Sequence, residues 1–304
     1  MTTGTTLARG APSCAIPPEP ARSLWSDAWS ALKGNRAAMA AGAVLGILIL
    51  LVLFGPMLSD YRFDKPNWDE IGVPPSIANG HPFGTDSLGR DLYTRTLHGG
   101  RISLMVGLVS TLVSLIIGIA WGATAGFLGG RIDRLMMRTV DILYALPFMF
   151  LVILLMVLFG RNIILIFVAI GAINWLDMAR IVRGQTLGLK QREFIEAARV
   201  SGVKSARIIL RHIVPNLLGV VVIYVTLTIP QVILVESFLS FLGLGVQEPM
   251  TSWGVMVSDG ALDMESAPWM LVFPALFLAT TLFCFNFLGD GLRDALDPRD
   301  RSGR

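Results

Sequence analysis

The chain alternates between long apolar runs free of charge and shorter segments that hold every charged side chain. Six runs matter, at 37–58, 102–130, 142–160, 162–176, 213–235 and 266–289. A bilayer core about 30 Å thick takes roughly 20 residues of helix, and five of the runs satisfy that easily. The run at 162–176 is short, ending at Trp175 and Asp177. It either continues past Asp177 to the interface or is a broken helix. The pattern predicts an all-α polytopic membrane protein with six transmembrane helices.

Composition agrees, with 53% hydrophobic and only 15% charged residues among 304. A soluble domain carries about a quarter charged residues, so most of this surface does not face water. Charge placement then sets orientation. With the N-terminus inside, 19 of the 25 lysines and arginines fall in 1–36, 129–141, 177–212 and 290–304, and the outer segments hold the other six. The excess of positive charge places both termini in the cytoplasm. Three parts follow: a cytoplasmic tail (1–36), a six-helix transmembrane domain (37–289) with a cytoplasmic loop at 177–212, and a second tail (290–304). In the first tail Leu24, Trp25, Ala28, Trp29 and Leu32 share one helical face, which predicts a short interfacial helix. Its run is too long, and its leader too polar, for a cleavable signal. Cys14 and Cys284 lie in a polar tail and an apolar run, an arrangement unsuited to a disulfide.

Several mechanisms are disfavoured by what the spans lack. They hold only neutral polar residues, such as Asn174, Thr226, Thr228, Gln231, Thr280 and Asn286. Ion-coupled carriers usually place ionisable groups there, although sodium sites can be built from carbonyls and hydroxyls. A P-loop needs glycine directly before its lysine, but Lys33, Lys65, Lys190 and Lys204 follow Leu32, Asp64, Leu189 and Val203. Any ATPase must therefore be a separate chain. His81, His98 and His212 are scattered, and no catalytic, cofactor-binding or metal-binding set is expected.

The loop at 177–212 is the most organised charged segment. EFIEAARVSG at 193–202 favours a helix, with Gly202 placed as a stop at positive φ. A second basic helix is expected from Lys204 to Arg211, leading to Pro215 near the start of the fifth span. Ala197 and Ala198 leave a shallow surface beside Phe194 and Ile195, suited to a partner's groove. At 83–91, in FGTDSLGRD, Thr85 can cap a helix, Asp86 favours its positive end, and Asp86 with Arg90 makes an i,i+4 pair. Direct contact with a delivery protein is the alternative. Ser103, Gly107, Ser114, Gly118, Gly122 and Gly126 recur at mostly four-residue steps, a spacing that lets helix backbones approach. From Glu236 to Glu265 there is no lysine or arginine. Ten mostly apolar residues there are expected to dip into the interface as a short helix, leaving an acidic face of Glu236, Glu248, Asp259, Asp263 and Glu265.

The Glu-Ala-Ala at 196–198, Gly202 and Pro215 resemble the coupling-loop motif of ABC importer permeases, with His212 where an aliphatic residue is usual and Val214 where leucine is. FGTDSLGRD (Gly84, Thr85, Asp86, Gly89, Arg90, Asp91) and GDGLRDALDP at 289–298 look like the peptide/nickel permease signature. WLDMARIVRGQ at 175–185 and ESFLSFLGLG at 236–245 look like the C-type permease subunit of oligopeptide importers. The resemblance runs from about Ser23 to Arg301. It implies the type I ABC importer permease fold, alternating access, and a coupling loop (Phe194, Glu196, Ala197, Ala198, Arg199, Gly202, Pro215) that docks on an ATPase. Implied partners are a paralogous permease, two cytoplasmic ATP-binding subunits holding ATP and Mg, a periplasmic peptide-binding protein and the bilayer, with no nucleic acid. Dipeptides, nickel chelates or another small solute remain alternative cargoes, and an ion-driven carrier or a non-transporting scaffold an alternative class.

Overall fold

The computed structural model describes residues 24–160 and 163–296. Cys14, the rest of the first tail to residue 23, residues 161–162, and Asp297 and Pro298 of the last motif lie outside them. Every regular element among the described residues is helical: α1 (Leu24–Gly34), α2 (Arg36–Phe54), α3 (Leu92–Leu128), α4 (Gly130–Tyr144), α5 (Phe148–Phe159), α6 (Ile163–Leu189), α7 (Glu193–Val200), α8 (Ser205–Ile208), α9 (Val214–Phe241), α10 (Trp253–Leu262) and α11 (Trp269–Leu296). Short turns of 3₁₀ helix follow α2 and precede the Gly84–Asp91 segment, and a π turn (Ile209–Ile213) joins α8 to α9.

Four helical stretches are long and apolar enough to cross a membrane, and a fifth is gained if the bent pair α4–α5 counts as one. The charge-free runs locate these helices but misplace their ends. α3 begins ten residues before residue 102, because Arg95 and Arg101 both find acceptors. Arg95 is buried against Asp86, and Arg101 donates to the carbonyls of Val52 and Leu53 at the end of α2. The third run breaks near Pro147, with an 82° bend between α4 and α5. Proline disfavours helical backbone in the residue before it. α6 continues through Asp177, Arg180 and Arg183 because both arginines are paired: Arg183 grips Asp133 of α4 through Nε and Nη2 at 2.6 and 2.7 Å, and Arg180 reaches Asp141 at 2.9 Å. α11 runs on past residue 289 to Leu296.

The expected separate helix from Lys204 to Arg211 is instead the start of one helical stretch, Ser205–Phe241. Pro215 cannot donate a hydrogen bond, and its ring would crowd the carbonyl four residues back. The π turn widens the helix just ahead of it, and Val214 N–H donates to Ile209 O across five residues. At the other end α9 carries Glu236 through Phe241, so the short interfacial helix expected there is absent. The short helix of that loop is α10.

α3 forms the axis of the bundle. At about 1.5 Å per residue its 37 residues span about 55 Å, well beyond a bilayer core. Its small residues face α6: Gly118 lies against Met178, Gly122 against the Ala179 carbonyl and Val182, and Gly126 against Arg183 O and Thr186. Gly171 of α6 returns the approach against Ser110 and Val113. Gly107 instead meets Ile229 and Ile233 of α9. A Cβ at Gly122 would collide with backbone, which cannot retreat as a flexible side chain does. Gly122→Val is expected to cost about 3 kcal/mol and to lower the yield of folded protein in detergent, read by gel filtration.

α1 packs back onto the bundle. Its Ala28 and Leu32 are buried against Ala38 of α2 and Ala295 of α11, while Trp29 stays exposed beneath Lys33.

Candidate functional site

The residues that stood out in the sequence gather at the two ends of α3. At its C-terminal end sits α7. Arg192 precedes α7 in extended backbone, and a complete C-terminal cap closes it: Gly202 N–H donates to Arg199 O at 2.9 Å and Val203 N–H to Ala198 O at 3.1 Å, with Gly202 at φ +76°. The helix is anchored by one side chain. Ile195 is fully buried among Phe127 of α3, Val182 of α6, and Ile208, Ile213 and Leu217 of the long helix, with Ala198 and Val203 packed alongside. Arg199 lies over the Phe127 ring at 4.5 Å.

The opposite face of α7 is bare. Glu196 and Ala197 are exposed, Phe194 is 45% exposed and Val200 90%. An apolar side chain that open, on a helix held rigidly from behind, is the usual arrangement of a surface awaiting a partner. Pro215 lies on the long helix, also exposed. Sequence reasoning missed the anchor. Ile195, Ala198 and Val203 carry a helical spacing that could have shown it, but Ile208 and Phe127 come from other elements.

Gly202 has open space around its missing Cβ, so only its backbone conformation demands glycine. Gly202→Ala is expected to cost about 1 kcal/mol. Gly202→Pro, which cannot take positive φ, should undo the cap. Limited proteolysis around 200–204 reads the difference.

At the N-terminal end of α3, Gly84–Asp91 is not a helix start but a folded loop. Thr85 caps no helix. Its hydroxyl donates to Glu70 O at 2.5 Å and accepts from Val73 N–H at 2.8 Å. Asp86 closes a tight loop, with Oδ1 accepting from the N–H groups of Leu88 and Arg90 at 2.9 and 2.8 Å. Its Oδ2 takes Arg90 Nε at 2.7 Å and Arg95 Nε at 3.3 Å. Arg90 also reaches Glu248 at 2.9 Å. The cap of α3 is Asp91, which accepts from Thr94 N–H and Oγ1. Gly84 and Gly89 both have positive φ, and both leave no room for a side chain, against Val73 O and Trp269 in one case and Asn67 O in the other. Trp269 Nε1 donates to Thr85 O.

His81 ties this loop together. Buried under Tyr61, it faces Asp91 through Nδ1 at 2.9 Å and Glu70 through Nε2 at 3.1 Å. Burial disfavours its charge, but the hydrogen bonds and charges of Asp91 and Glu70 outweigh that and raise its pKa. A raised histidine pKa gives stability that is complete below the unfolded value, near 6.5, and is lost as pH rises through the folded value. Thermal unfolding should therefore show the wild type losing stability as pH rises from about 6.5 through the raised folded value, and His81→Gln losing markedly less.

The carboxylates expected to share one acidic outer face do not all do so, and Glu236 lies within α9. Glu236 is 0% exposed, accepting from Ser240 and Ser252 hydroxyls at 2.8 and 2.7 Å, and Ser252 in turn caps α10 through Val255 N–H. Trp253 is fully buried, its Nε1 donating to Thr96 O and its N–H to Ser103 Oγ. These contacts lock α10 onto α3 and α9, and they join residues too far apart along the chain for a linear reading to pair them.

Residues 103–302 match the family described as binding-protein-dependent transport system inner membrane component, and residues 23–75 match the N-terminal TM domain of oligopeptide transport permease C. The oligopeptide transport system permease protein OppC of Escherichia coli (strain K12) is 59% identical over 92% of this chain and 93% of that protein. The protein of that name from Salmonella typhimurium is 60% identical over the same shares. The dipeptide transport system permease protein DppC of Bacillus subtilis is 48% identical over 93% of this chain and 88% of its own length.

Proposed function

The chain belongs to the family of binding-protein-dependent transport system inner membrane components, and on that premise we propose that it is the permease subunit of an ATP-driven ABC importer that carries oligopeptides from the periplasm to the cytoplasm. It is an integral inner-membrane protein of helical build. The observation that carries the cargo is identity near 60% with oligopeptide permeases along nearly the whole of both chains.

In this reading six spans cross the bilayer: α2, α3, the α4–α5 pair, α6, the Ser205–Phe241 stretch and α11. α6 joins the count through its paired arginines. Both termini, and α7, then lie in the cytoplasm, in keeping with the positive charge at that end. The exposed face of α7 (Phe194, Glu196, Ala197, Val200) docks on one of two ATP-binding chains, which hold ATP and Mg. The chain itself has no hydrolytic role. A paralogous permease completes the pathway, and a periplasmic binding protein delivers peptide at the end where Gly84–Asp91 and α10 lie. ATP and peptide bias the same two-state movement from opposite sides, and α7 conveys it.

Similarity to a dipeptide permease keeps dipeptides as the second cargo. Cells lacking the chain, with and without its restoration, discriminate the two through uptake of a labelled tri- or tetrapeptide. ATP-dependent uptake that returns with the chain, and is competed by longer peptides, supports oligopeptide import. No peptide uptake from an intact complex bound to its ATPases moves the cargo to dipeptides or another solute. Uptake that survives ATP depletion and collapses with an ion gradient would instead indicate a secondary carrier.

A further inference from the structure

A basic cleft of about 970 Å³ lies between α4 and the second half of α6, and neither the coupling helix nor the delivery end uses it. Arg131, Arg134 and Arg138 line it from α4 and Arg180 and Arg183 from α6, against only two carboxylates, Asp133 and Asp141. Both carboxylates are engaged. Arg183 holds Asp133 with two hydrogen bonds, and Arg180 holds Asp141 while stacking over Tyr144 at 4.2 Å. Three exposed arginines of α4 are left without an opposing carboxylate among the residues lining the cleft.

These three lie at i, i+3 and i+7 of α4, one basic stripe. Beside that stripe runs a second, apolar one: Ile132 is 49% exposed, Leu135 72% and Ile142 59%. Basic and apolar stripes side by side suit the headgroup end of the α4–α5 span, ahead of its 82° bend, where arginine meets phosphate and apolar side chains meet acyl chain. A soluble anion would use the first stripe and leave the second bare. The cleft sits at the end of the bundle where α7 is held: α4 starts at Gly130, directly after α3 ends at Leu128, and Phe127 of α3 shares a core with Ile195 of α7.

We propose that this cleft binds the phosphodiester headgroup of an anionic phospholipid, with Arg131, Arg134 and Arg138 on the phosphate and the Ile132–Leu135–Ile142 stripe against its acyl chains. Because α6 leads directly into the turn before α7, an occupied cleft ties the seat of the coupling helix to the composition of the surrounding leaflet.

Native mass spectrometry of the purified complex tests this without peptide or ATP, so its outcome is independent of the cargo and of uptake. Phosphatidylglycerol, phosphatidylcholine and inorganic phosphate are titrated in turn. Each arginine near an anionic surface adds about a fivefold preference, so Arg131→Gln, Arg134→Gln and Arg138→Gln together should weaken phosphatidylglycerol retention about a hundredfold at low salt. The matching triple lysine variant should retain most of it, which separates lost charge from lost fold. Phosphatidylcholine held as well as phosphatidylglycerol, or retention unchanged in the glutamine variant, would overturn the proposal. So would displacement by inorganic phosphate at lipid-like concentrations, which would make the cleft a free-phosphate site. Loss of the ATP-binding chains with lipid retention unchanged would make it a protein interface.

Discussion

Glu196→Arg is expected to release the ATP-binding chain and abolish peptide uptake while leaving the membrane bundle folded. Glu196 is exposed on the first turns of α7, and the helix is held by Ile195 on its other side. Reversing its charge therefore leaves the Ile195 anchor and the Gly202 cap intact. What changes is the surface offered to a partner. A central interface residue contributes about 2 kcal/mol or more, so association should fall at least thirtyfold. Pull-down of the ATP-binding chains, read beside gel filtration of the permease, separates docking from folding. Ile195→Ala makes the complementary case. It removes the anchor at about 3 kcal/mol and should loosen the helix itself, weakening folding and docking together.

Gly89→Val should be the most damaging single change at the opposite end. The residue has φ +71°, a conformation side chains resist, and its Cβ would fall onto the Asn67 backbone carbonyl. Two penalties add there, whereas Gly202 carries only the first. Backbone strain costs about 1–3 kcal/mol and overpacking about as much, so a loss of about 4 kcal/mol is expected. It should be read as a lower thermal midpoint and new protease cleavage within residues 59–91. Unlike Glu196→Arg, this variant should keep its ATP-binding chains, since α7 lies about 55 Å away along α3. The pair of variants thus assigns separate duties to the two ends.

Four spans were legible because charge-free runs of about 20 residues have few other uses. The α7 helix and the positive φ of Gly202 were legible because both follow from local propensity. The span ends were not. A charge-free criterion stops at Arg101 and Asp177, but Arg95, Arg180 and Arg183 are paired with residues 9, 39 and 50 positions away. Pairing across elements is invisible to a linear scan. The Gly84–Asp91 loop failed in the same way. Thr85 and Asp86 have the chemistry of a helix cap, and a cap was expected, yet Asp91 takes that role while Thr85 and Asp86 tie down residues 70–73 and 88–90. Glu236 looked like part of an acidic outer face because the segment from 236 to 265 holds five carboxylates and no lysine or arginine. Its two serine partners, one 16 residues on, place it in the interior.

The central claim is that ATP hydrolysed on partner chains moves peptide through this subunit by way of α7. Its most direct test is the reconstituted complex in liposomes, with the binding protein and a labelled tetrapeptide on one side and ATP on the side of the ATP-binding chains. Peptide accumulation that requires ATP, persists when ion gradients are dissipated, and vanishes together with coupled hydrolysis in Glu196→Arg is the predicted result. Undiminished accumulation without ATP, or with Glu196→Arg in place of the native residue, would contradict it.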